Sequence, residues 1–429
     1  MRAKVLVPLL LSVLAACTAE PDARPDPVEP RIDDVVVLGI GDGSIVVSSG
    51  SGSVLAADAG TVTAPDGSRL YASTTDGTTT TIDTRDPESG GTLATTTVDG
   101  RFEVDVASLS GAAVALLPPG LTTDGELAAP RRSTTIVVAD PTGAEPARTL
   151  RLDGNYEPEA FSVDDQRLFL IQYLPAMDPT VYRVMFMDLA SGQIRPVFGR
   201  FKTPPERMPG VRLTQVFDGT TDQLYTLYTN RPGKGYDGNW DGEGYGYGGK
   251  GSSTSTDAPR TEVSFVHVLN LRDGWAYCAG LPRSLWGRPA SAQAMAPSPD
   301  GRHLYIVDST RGIVADMNTR TLRIRHTVHL DLSGSGGART SAVTSADGAT
   351  LFVSSAMDGA AVYAIDTASM AVADRWTVPA AVRDLALSVD GGRLYAALDD
   401  RVAILDAGTG TGLWDLGFAE ASIWHVATP

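Results

Sequence analysis

A partial match to a metal-binding motif lies in one Gly-rich segment of this sequence, residues 231–260. The spacing Asp237-x-Asn239-x-Asp241-Gly242 is that of the first half of an EF-hand-type calcium loop, which places oxygen ligands at alternate positions. Gly248 stands at the twelfth position, where such a loop needs a bidentate Glu. Only the first half of the motif is present, and on that basis calcium is the one candidate cofactor.

Aromatic residues in the same segment indicate a second chemistry. Tyr236, Trp240, Tyr245 and Tyr247 are interleaved with glycines. Such rings combine a large contact area with a polar tip, which suits stacking on sugar rings or clamping a protein partner. A solvated loop of low complexity, without a ligand, is the third interpretation of this segment. The sequence leaves the three interpretations open.

Two carboxylates offer acid–base chemistry elsewhere in the chain. Glu157 and Glu159 lie two residues apart, just ahead of a strand that we predict to begin near residue 158, and could act as acid and base. Paired carboxylates are also common on acidic surfaces. Tyr173 opens a long turn, and Arg207 lies in the Pro- and Arg-rich connection 200–212. We predict that these long connections gather at one end of the fold as a binding face comprising Glu157, Glu159, Tyr173, Arg207, Tyr236, Trp240, Tyr245 and Tyr247.

The sequence lacks the motifs of several other chemistries. It contains no H-E-x-x-H zinc pair, no C-x-x-C and no G-x-S-x-G nucleophile elbow. His326 and His329 are three apart on a predicted strand, so they point to opposite faces and cannot share one metal ion. The Gly-rich stretch 39–44 lies between predicted strands and does not open a helix, so it lacks the dipole that would bind phosphate. The sequence thus favours a protein that is not an enzyme.

A recurring element predicts how these residues are positioned. The element consists of a small residue, a variable residue, Asp, a turn, then Leu and an aromatic residue. It forms a hairpin, because Asp and Gly favour a tight turn and the alternating residues that follow favour a strand. Each copy is followed by a strand that ends in an Asp-containing turn, so the unit is four antiparallel strands, a to d. The copies are 64–71, 298–305, 345–352 and 388–395, with a degenerate copy at 162–169 that lacks the Gly.

The spacing of these units predicts an all-β propeller. Strand a begins near residues 61, 103, 158, 211, 292, 339 and 382, at intervals close to the length of a propeller blade except where 231–260 is inserted. A further a strand at 423–427 and b, c and d strands at 35–40, 44–48 and 53–57 together make one more blade. We therefore predict eight four-stranded blades, with the ring closed by both termini. Seven blades remain possible if the first strands belong to an N-terminal tether.

The repeats at 298–324, 345–372 and 388–413 resemble those of the YVTN/lactonase-like propeller superfamily, which includes TolB-like and YncE-like proteins. The resemblance covers most of residues 35–429 and implies the fold, but says little about function because such scaffolds carry unrelated activities. It implies, as an alternative function, a lactonase-like hydrolase that acts on a small lactone or ester at the mouth of the propeller channel.

The N-terminus predicts export and anchoring. A positively charged start and a short apolar stretch precede Leu14-Ala15-Ala16-Cys17, which resembles the lipobox of bacterial lipoproteins. We predict a signal peptide at 1–16, a lipid on Cys17, a tether rich in Pro and acidic residues at 17–31, and a propeller domain at 32–429. The mature protein is then extracytoplasmic and lipid-anchored to the bacterial cell membrane.

The net charge of the chain limits the classes of partner that it can bind. The formal net charge of −16 repels phosphate backbones and excludes sequence-independent binding of nucleic acid. Of the two cysteines, lipidation of Cys17 leaves Cys278 without a partner for an internal disulfide. The sequence therefore predicts a membrane-anchored, non-catalytic binding or scaffold module for a protein, peptide or envelope glycan.

Overall fold

The computed structural model describes residues 32–41, 43–120, 128–202, 207–208, 210–229, 264–286, 290–332, 339–355 and 360–427. These residues form 33 strands and two short 3-10 helices. Cys17, the predicted tether and the segment 230–263, which contains the predicted calcium ligands and the Tyr and Trp residues of the insertion, lie outside the described residues. Among the described residues, no helix is long and apolar enough to cross a bilayer.

The strands of the first half of the chain follow one another in short antiparallel hairpins. After three N-terminal strands they form blades 1, 2 and 3, each with four strands. They are β1 (Val35–Ile40), β2 (Gly43–Ser48) and β3 (Val54–Ala59); in blade 1, β4 (Thr61–Thr63), β5 (Leu70–Asp76), β6 (Thr79–Arg85) and β7 (Thr92–Asp99); in blade 2, β8 (Glu103–Ala107), β9 (Val114–Leu117), β10 (Ser133–Ala139) and β11 (Arg148–Asp153); and in blade 3, β12 (Asn155–Phe161), β13 (Arg167–Leu174), β14 (Val181–Asp188) and β15 (Ile194–Pro196).

The second half repeats the pattern with one variation. Blade 4 has a fifth strand, because β16 pairs in parallel with β20 at its outer edge. The 3-10 helices Arg283–Leu285 and Ala290–Ala292 connect blades 4 and 5. The strands are β16 (Phe198–Gly199), β17 (Val211–Asp218), β18 (Gln223–Thr229), β19 (Ser264–Asn270) and β20 (Trp275–Gly280) in blade 4; β21 (Gln293–Pro297), β22 (His303–Asp308), β23 (Ile313–Asn318) and β24 (Arg323–His329) in blade 5; β25 (Ala342–Thr344), β26 (Thr350–Ser354), β27 (Ala361–Asp366) and β28 (Ala371–Thr377) in blade 6; β29 (Val382–Leu387), β30 (Arg393–Leu398), β31 (Val402–Asp406) and β32 (Gly412–Leu416) in blade 7; and the C-terminal β33 (Ser422–Ala427).

The eighth blade joins the two ends of the chain. Strand β33 pairs antiparallel with β1, and the sheet order is β3-β2-β1-β33. The last strand is thus the inner strand of a blade whose other three strands come from the N-terminus. The prediction of eight blades closed by both termini is confirmed, and the seven-blade alternative is wrong.

The repeated turn explains why these sequences form hairpins. In blade 5 the Ser298 hydroxyl donates to the Asp300 carboxylate at 2.6 Å, and the backbone N–H of His303 donates to Ser298 Oγ at 3.0 Å. Gly301 takes a φ of +65°, which glycine adopts without a steric cost. In the degenerate copy Asp165 adopts this conformation at φ +54°, because Asp tolerates the left-handed region better than most residues.

The apolar core lies between the blades. The middle strands of each blade are covered on both faces by their neighbours, so that all seven residues of β18 and all seven of β19 are buried. One cluster joins Tyr225 and Val266 of blade 4 to Leu304 and Ile306 of blade 5. The outer strands face solvent, as the exposed residues of β24 and β28 show. The inner strands β4, β8, β12, β17, β21, β25, β29 and β33 line the central channel.

Candidate binding site at the channel mouth

All eight inner strands begin at the same end of the ring, which we call the mouth face; the end that carries the Asp-Gly turns is the turn face. The b–c and d–a connections also emerge at the mouth face. The insertion leaves the described structure after Thr229, where β18 ends, and returns at Ser264, where β19 begins. The hydroxyls of these two residues lie 3.1 Å apart, so both ends of the insertion are attached at the mouth face of blade 4.

Glu157 and Glu159 lie elsewhere than predicted. Strand β12 begins at Asn155, so both residues belong to the inner strand itself and not to the connection before it. Both are buried, with 5% and 7% of their surface exposed. Pro158 does not end the strand, because β12 is the edge strand of its blade and a missing N–H is tolerated there. A bulge between Pro158 and Ala160 absorbs the local change in register.

Glu157 is held by groups from two blades. Tyr173, on the neighbouring strand, donates its hydroxyl to Glu157 Oε2 at 2.5 Å, and Arg131 Nη2 of blade 2 lies 3.3 Å from Glu157 Oε1. Arg131 Nε also donates to the side-chain oxygen of Asn155 at 2.5 Å. Burial, and then the nearby Glu157, raise the pKa of Tyr173 well above its usual value. Tyr173, predicted as a residue of the binding face, is therefore a buried residue whose hydroxyl positions Glu157.

Glu159 is held by the next blade. Gln215 donates to Glu159 Oε1 at 2.6 Å, and Arg212 Nη1 lies 3.5 Å from Glu159 Oε2. Burial raises the pKa of Glu159, although Arg212 and Gln215 act in the opposite direction. The charge of Glu157 also acts on Glu159, so the two carboxylates lie in one cluster across blades 2, 3 and 4 despite the bulge between them. The structure brings the two predicted carboxylates together, each already paired.

A third carboxylate joins this cluster from blade 2. Asp105, half-buried on β8, has no hydrogen bond or ion pair with any residue that the structure describes. Burial, and then the charge of Glu157, raise its pKa to about 7. Such a carboxyl group exchanges a proton near neutral pH, as a general acid or base must. Even so, within the described parts of the chain no three His, Cys, Asp or Glu side chains are arranged to hold a metal ion.

Arg207 is the predicted binding residue that does lie on the surface. It is exposed in the connection between β16 and β17. The next residue, Met208, exchanges backbone hydrogen bonds with Tyr182 at 2.9 and 2.7 Å, which fixes this connection against the mouth end of blade 3. Arg207 therefore stands beside the buried cluster, at the mouth face. The remaining predicted residues, Tyr236, Asp237, Asn239, Trp240, Asp241, Tyr245 and Tyr247, lie outside the described residues.

The opposite wall of the channel mouth contains a cavity of about 1070 Å³. Residues at the starts of five inner strands, β17, β21, β25, β29 and β33, line it. Most of its charged groups are already paired. Asp384 accepts hydrogen bonds from the Ser341 hydroxyl at 2.8 Å and from the backbone N–H of Ile423 at 2.9 Å, and Arg383 lies 3.3 Å from Asp399.

Three polar groups of this cavity are not paired. Gln293, with 2% of its surface exposed, donates through Nε2 to the carbonyl of Leu285 at 3.3 Å, but its Oε1 accepts no hydrogen bond from the described residues. The side chains of Arg339 and Glu420 are exposed on the rim, and neither has a hydrogen bond or ion pair within the described ranges. A buried acceptor without a donor is costly unless a water molecule or a ligand supplies one.

The turn face has a smaller cavity, of about 620 Å³, between blades 5 and 6. Its polar residues mostly serve the fold. The His303 ring lies 2.8 Å from the Asp316 carboxylate and stacks on Tyr305, and the Thr367 hydroxyl donates to the carbonyl of Gly348 at 2.7 Å. We therefore place the candidate site at the channel mouth, where the larger cavity is lined by the buried Gln293, whose Oε1 has no donor among the described residues.

Sequence reasoning missed most of the residues at this site. Polar residues at the starts of the inner strands are the signal that could have found them, since such strands are otherwise apolar. That signal does not separate a paired carboxylate such as Asp384 from an unpaired one such as Glu420, because pairing depends on residues from other blades. The missed residues are Asp105, Arg131, Arg212, Gln293, Arg339, Asp384 and Glu420.

Comparison with known proteins agrees with the architecture. No family model matches the chain, and no curated protein matches its sequence. Among solved structures, dihydro-heme d1 dehydrogenase NirN in complex with DHE has 13% identity and a TM-score of 0.55, over 95% of this chain and 77% of its own. AztD from Citrobacter koseri has 11% identity over 92% of this chain and 97% of its own, with TM-scores of 0.54 and, for the apo structure, 0.51. At these identities the likeness shows the fold alone. The protein is an eight-bladed β-propeller.

Proposed function

We propose that this protein is a non-catalytic binding propeller whose ligand site is the channel mouth. The supporting observation is the cavity of about 1070 Å³, in which Oε1 of the buried Gln293 lacks a donor and two rim charges form no hydrogen bond or ion pair with the described residues. Pockets of this size, mostly preformed and with a few convergent polar groups, are typical of ligand sites in proteins. The irregular inner strands of blades 3 and 4 carry further polar groups at the same face, among them Glu157 and Glu159.

The partner that we propose is a protein, peptide or envelope glycan. In support, Tyr236, Trp240, Tyr245 and Tyr247 belong to an insertion whose two ends are attached at the mouth face. The net charge of −16 argues against nucleic acid. Membership of the YVTN/lactonase-like superfamily is part of this proposal and rests on the repeat sequences.

A channel-plugging variant tests the location of the site. Ala381 lines the cavity, so Ala381→Trp would fill the mouth, whereas Ala373→Trp adds the same side chain to the exposed outer strand β28. We expect cross-linked capture of a specific partner from detergent-solubilised membranes to be lost with Ala381→Trp and kept with Ala373→Trp. Equal capture by both variants would remove the channel mouth as the site.

We also propose that Cys17 carries a lipid that anchors the protein outside the cytoplasm. The sequence Leu14-Ala15-Ala16-Cys17 after an apolar stretch supports it. Cys17→Ala should move the protein from the membrane fraction to a soluble one and abolish labelling by radioactive palmitate. Cys278→Ala is the matched control, because Cys278 is a buried thiol. A Cys17→Ala protein that remains in the membrane fraction would contradict the anchor.

Calcium binding by Asp237, Asn239 and Asp241 is a further part of the proposal. The alternating oxygen ligands followed by Gly242 support it. Calorimetry with millimolar CaCl₂ should show binding that Asp241→Ala abolishes, and Asp273→Ala provides a control outside the insertion. Absence of heat from the wild-type protein would end this idea.

Hydrolysis of a small lactone or ester is the alternative function, and Asp105 is the observation that favours it. Asp105 has a pKa of about 7 and two more carboxylates beside it. It could take a proton from a water molecule while the oxygen of that water attacks the carbonyl carbon of the lactone or ester. The ring C–O bond would then break, and the proton would pass to the leaving oxygen. Turnover of a lactone panel that rises with pH through about 7 and disappears in Asp105→Asn would support the enzyme, and absence of turnover would reject it.

A further inference from the structure

Two charges of opposite sign stand on the rim of the mouth cavity and form no hydrogen bond or ion pair with the described residues. Arg339 precedes β25 and Glu420 precedes β33, and both line the same cavity. The inner strand β29 lies between their two blades. Both side chains are exposed and form no hydrogen bond or ion pair with the described residues. The charge of Arg339 acts on the buried Asp384, but its guanidinium group remains open to a carboxylate on a ligand.

The other charged groups of the cavity are already held by hydrogen bonds or by an ion pair. Arg383 lies 3.3 Å from Asp399. Asp384 accepts hydrogen bonds from a hydroxyl and from two backbone N–H groups, at 2.8 to 2.9 Å. The charges left over are therefore one cation and one anion, separated by one blade of the ring.

Gln293 adds a neutral acceptor within the cavity. It begins β21, in the blade next to that of Arg339. Its own amide nitrogen donates to the carbonyl of Leu285 at 3.3 Å, and its buried Oε1 has no donor among the described residues. An acceptor with 2% of its residue surface exposed points to a bound donor more strongly than a surface group would.

We propose that the channel mouth binds a small peptide zwitterion, with its carboxylate on Arg339, its ammonium group on Glu420 and a peptide N–H on Gln293 Oε1. This inference rests on the proposed binding function and names its ligand class. The guanidinium group suits a carboxylate, because its N–H donors match the two oxygens. A zwitterion is favoured over an anion because a chain of net charge −16 repels anions at long range and leaves a neutral ligand unaffected.

Three probes of nearly equal size distinguish the contributions of the two ligand charges to binding. Triglycine carries both charges, N-acetyl-triglycine lacks the ammonium group, and triglycine amide lacks the carboxylate. Isothermal titration calorimetry on the wild-type protein should show triglycine binding roughly tenfold more tightly than either blocked form, as the loss of one charge-assisted contact predicts.

Two variants assign the contacts. Arg339→Gln should weaken triglycine roughly tenfold and leave triglycine amide unchanged, and Glu420→Gln should weaken triglycine and leave N-acetyl-triglycine unchanged. Both residues are exposed, so neither variant should unfold the protein. The matched controls are Arg323→Gln on the outer strand β24 and Glu145→Gln in an outer turn, which should bind all three probes as the wild type does.

Three outcomes would overturn the proposal: no heat with triglycine, equal affinity for the three probes, or unchanged binding in both Arg339→Gln and Glu420→Gln. Its failure is separable from failure of the proposed function. If capture of a partner is lost with Ala381→Trp and kept with Ala373→Trp while triglycine does not bind, the channel mouth is a binding site for another class of ligand.

Discussion

The two ends of the propeller channel use polar residues in opposite ways. At the turn face, Ser298, Asp300 and His303 bind one another, and copies of the same network recur at Ser162, Ser345 and Ser388. At the mouth face the Thr80 and Thr134 hydroxyls donate in the same way to the carbonyls of Gly100 and Gly154, but the described groups of the candidate site belong to no such repeated network. Asp105, Glu157 and Glu159 meet from two blades, and Gln293 Oε1 is left without a donor. Repetition therefore marks the groups that build the fold, and its absence marks the candidate site.

The largest expected effect on stability comes from a substitution at the turn face, where an ion pair helps to close the ring. Arg393 makes a bidentate pair with Asp34 at 2.6 and 2.8 Å, and Tyr395 donates to the same carboxylate at 2.5 Å. Asp34 has no exposed surface and Arg393 has 4%. Arg393→Ala leaves a buried carboxylate unpaired, so we expect the free energy of unfolding to fall by about 3–5 kcal/mol, measured by urea denaturation.

Arg69 is the control for that variant, because it holds the same position in the first copy of the motif but is exposed. Its guanidinium group donates to the carbonyl of Ser68, a contact that solvent replaces easily. Arg69→Ala should change stability by no more than about 0.5 kcal/mol. Equal losses in the two variants would mean that the motif position matters, and not the closure of the ring.

The next effect concerns pH at the mouth face. Asp105 has a raised pKa of about 7, so the folded protein binds a proton that the unfolded chain has already lost above pH 4, and stability falls as the pH rises from about 4 to 7. Asp105→Asn removes this penalty. Its melting temperature should exceed that of the wild type by a few degrees at pH 8, and the gain should vanish at pH 4. The exposed Asp153→Asn, in the same blade, should show no such trend; a gain independent of pH would contradict the explanation.

A smaller effect on stability is expected when the carboxylate of one turn motif is removed. The hydrogen bond from Ser298, and then that from the backbone N–H of Arg302, lower the pKa of Asp300, so its contribution is present above pH 4 and is lost as the pH falls. Asp300→Ala should cost about 1 kcal/mol at pH 7, because the turn is exposed and solvent offsets part of the loss. Thermal melts at pH 7 and pH 3 test this. Asp99→Ala, on an exposed strand end, is the control, and a cost that persists at pH 3 would be inconsistent with the carboxylate as its source.

The two variants with the greatest expected effect on triglycine binding should have the smallest effect on stability. Arg339→Gln and Glu420→Gln remove exposed, unpaired charges, so each should change the free energy of unfolding by less than about 0.5 kcal/mol. Differential scanning calorimetry of both variants, beside the triglycine titrations, measures the contrast with Arg393→Ala. A substantial loss of stability in either variant would show that the mouth face also holds the fold together.

The sequence alone determined the architecture, because a propeller blade is a local unit. The Asp-Gly turns and the alternating strands depend on residues within about ten positions of one another, and their spacing predicted inner strands that begin near residues 61, 103, 211 and 382, where the structure has them. The closing blade was also predictable, because strands 35–40 and 423–427 were the partial unit left at each end of the chain.

Only the tertiary structure decided which polar residues form the site. Glu157 and Glu159 were identified from their spacing, but their burial depends on Arg131, Tyr173 and Arg212, which come from three blades. Arg339 and Glu420 look in the sequence like any surface charges. That they line one cavity without an ion pair to the described residues follows from the closing of the ring, which brings together residues far apart in the chain. No pattern within one repeat encodes it.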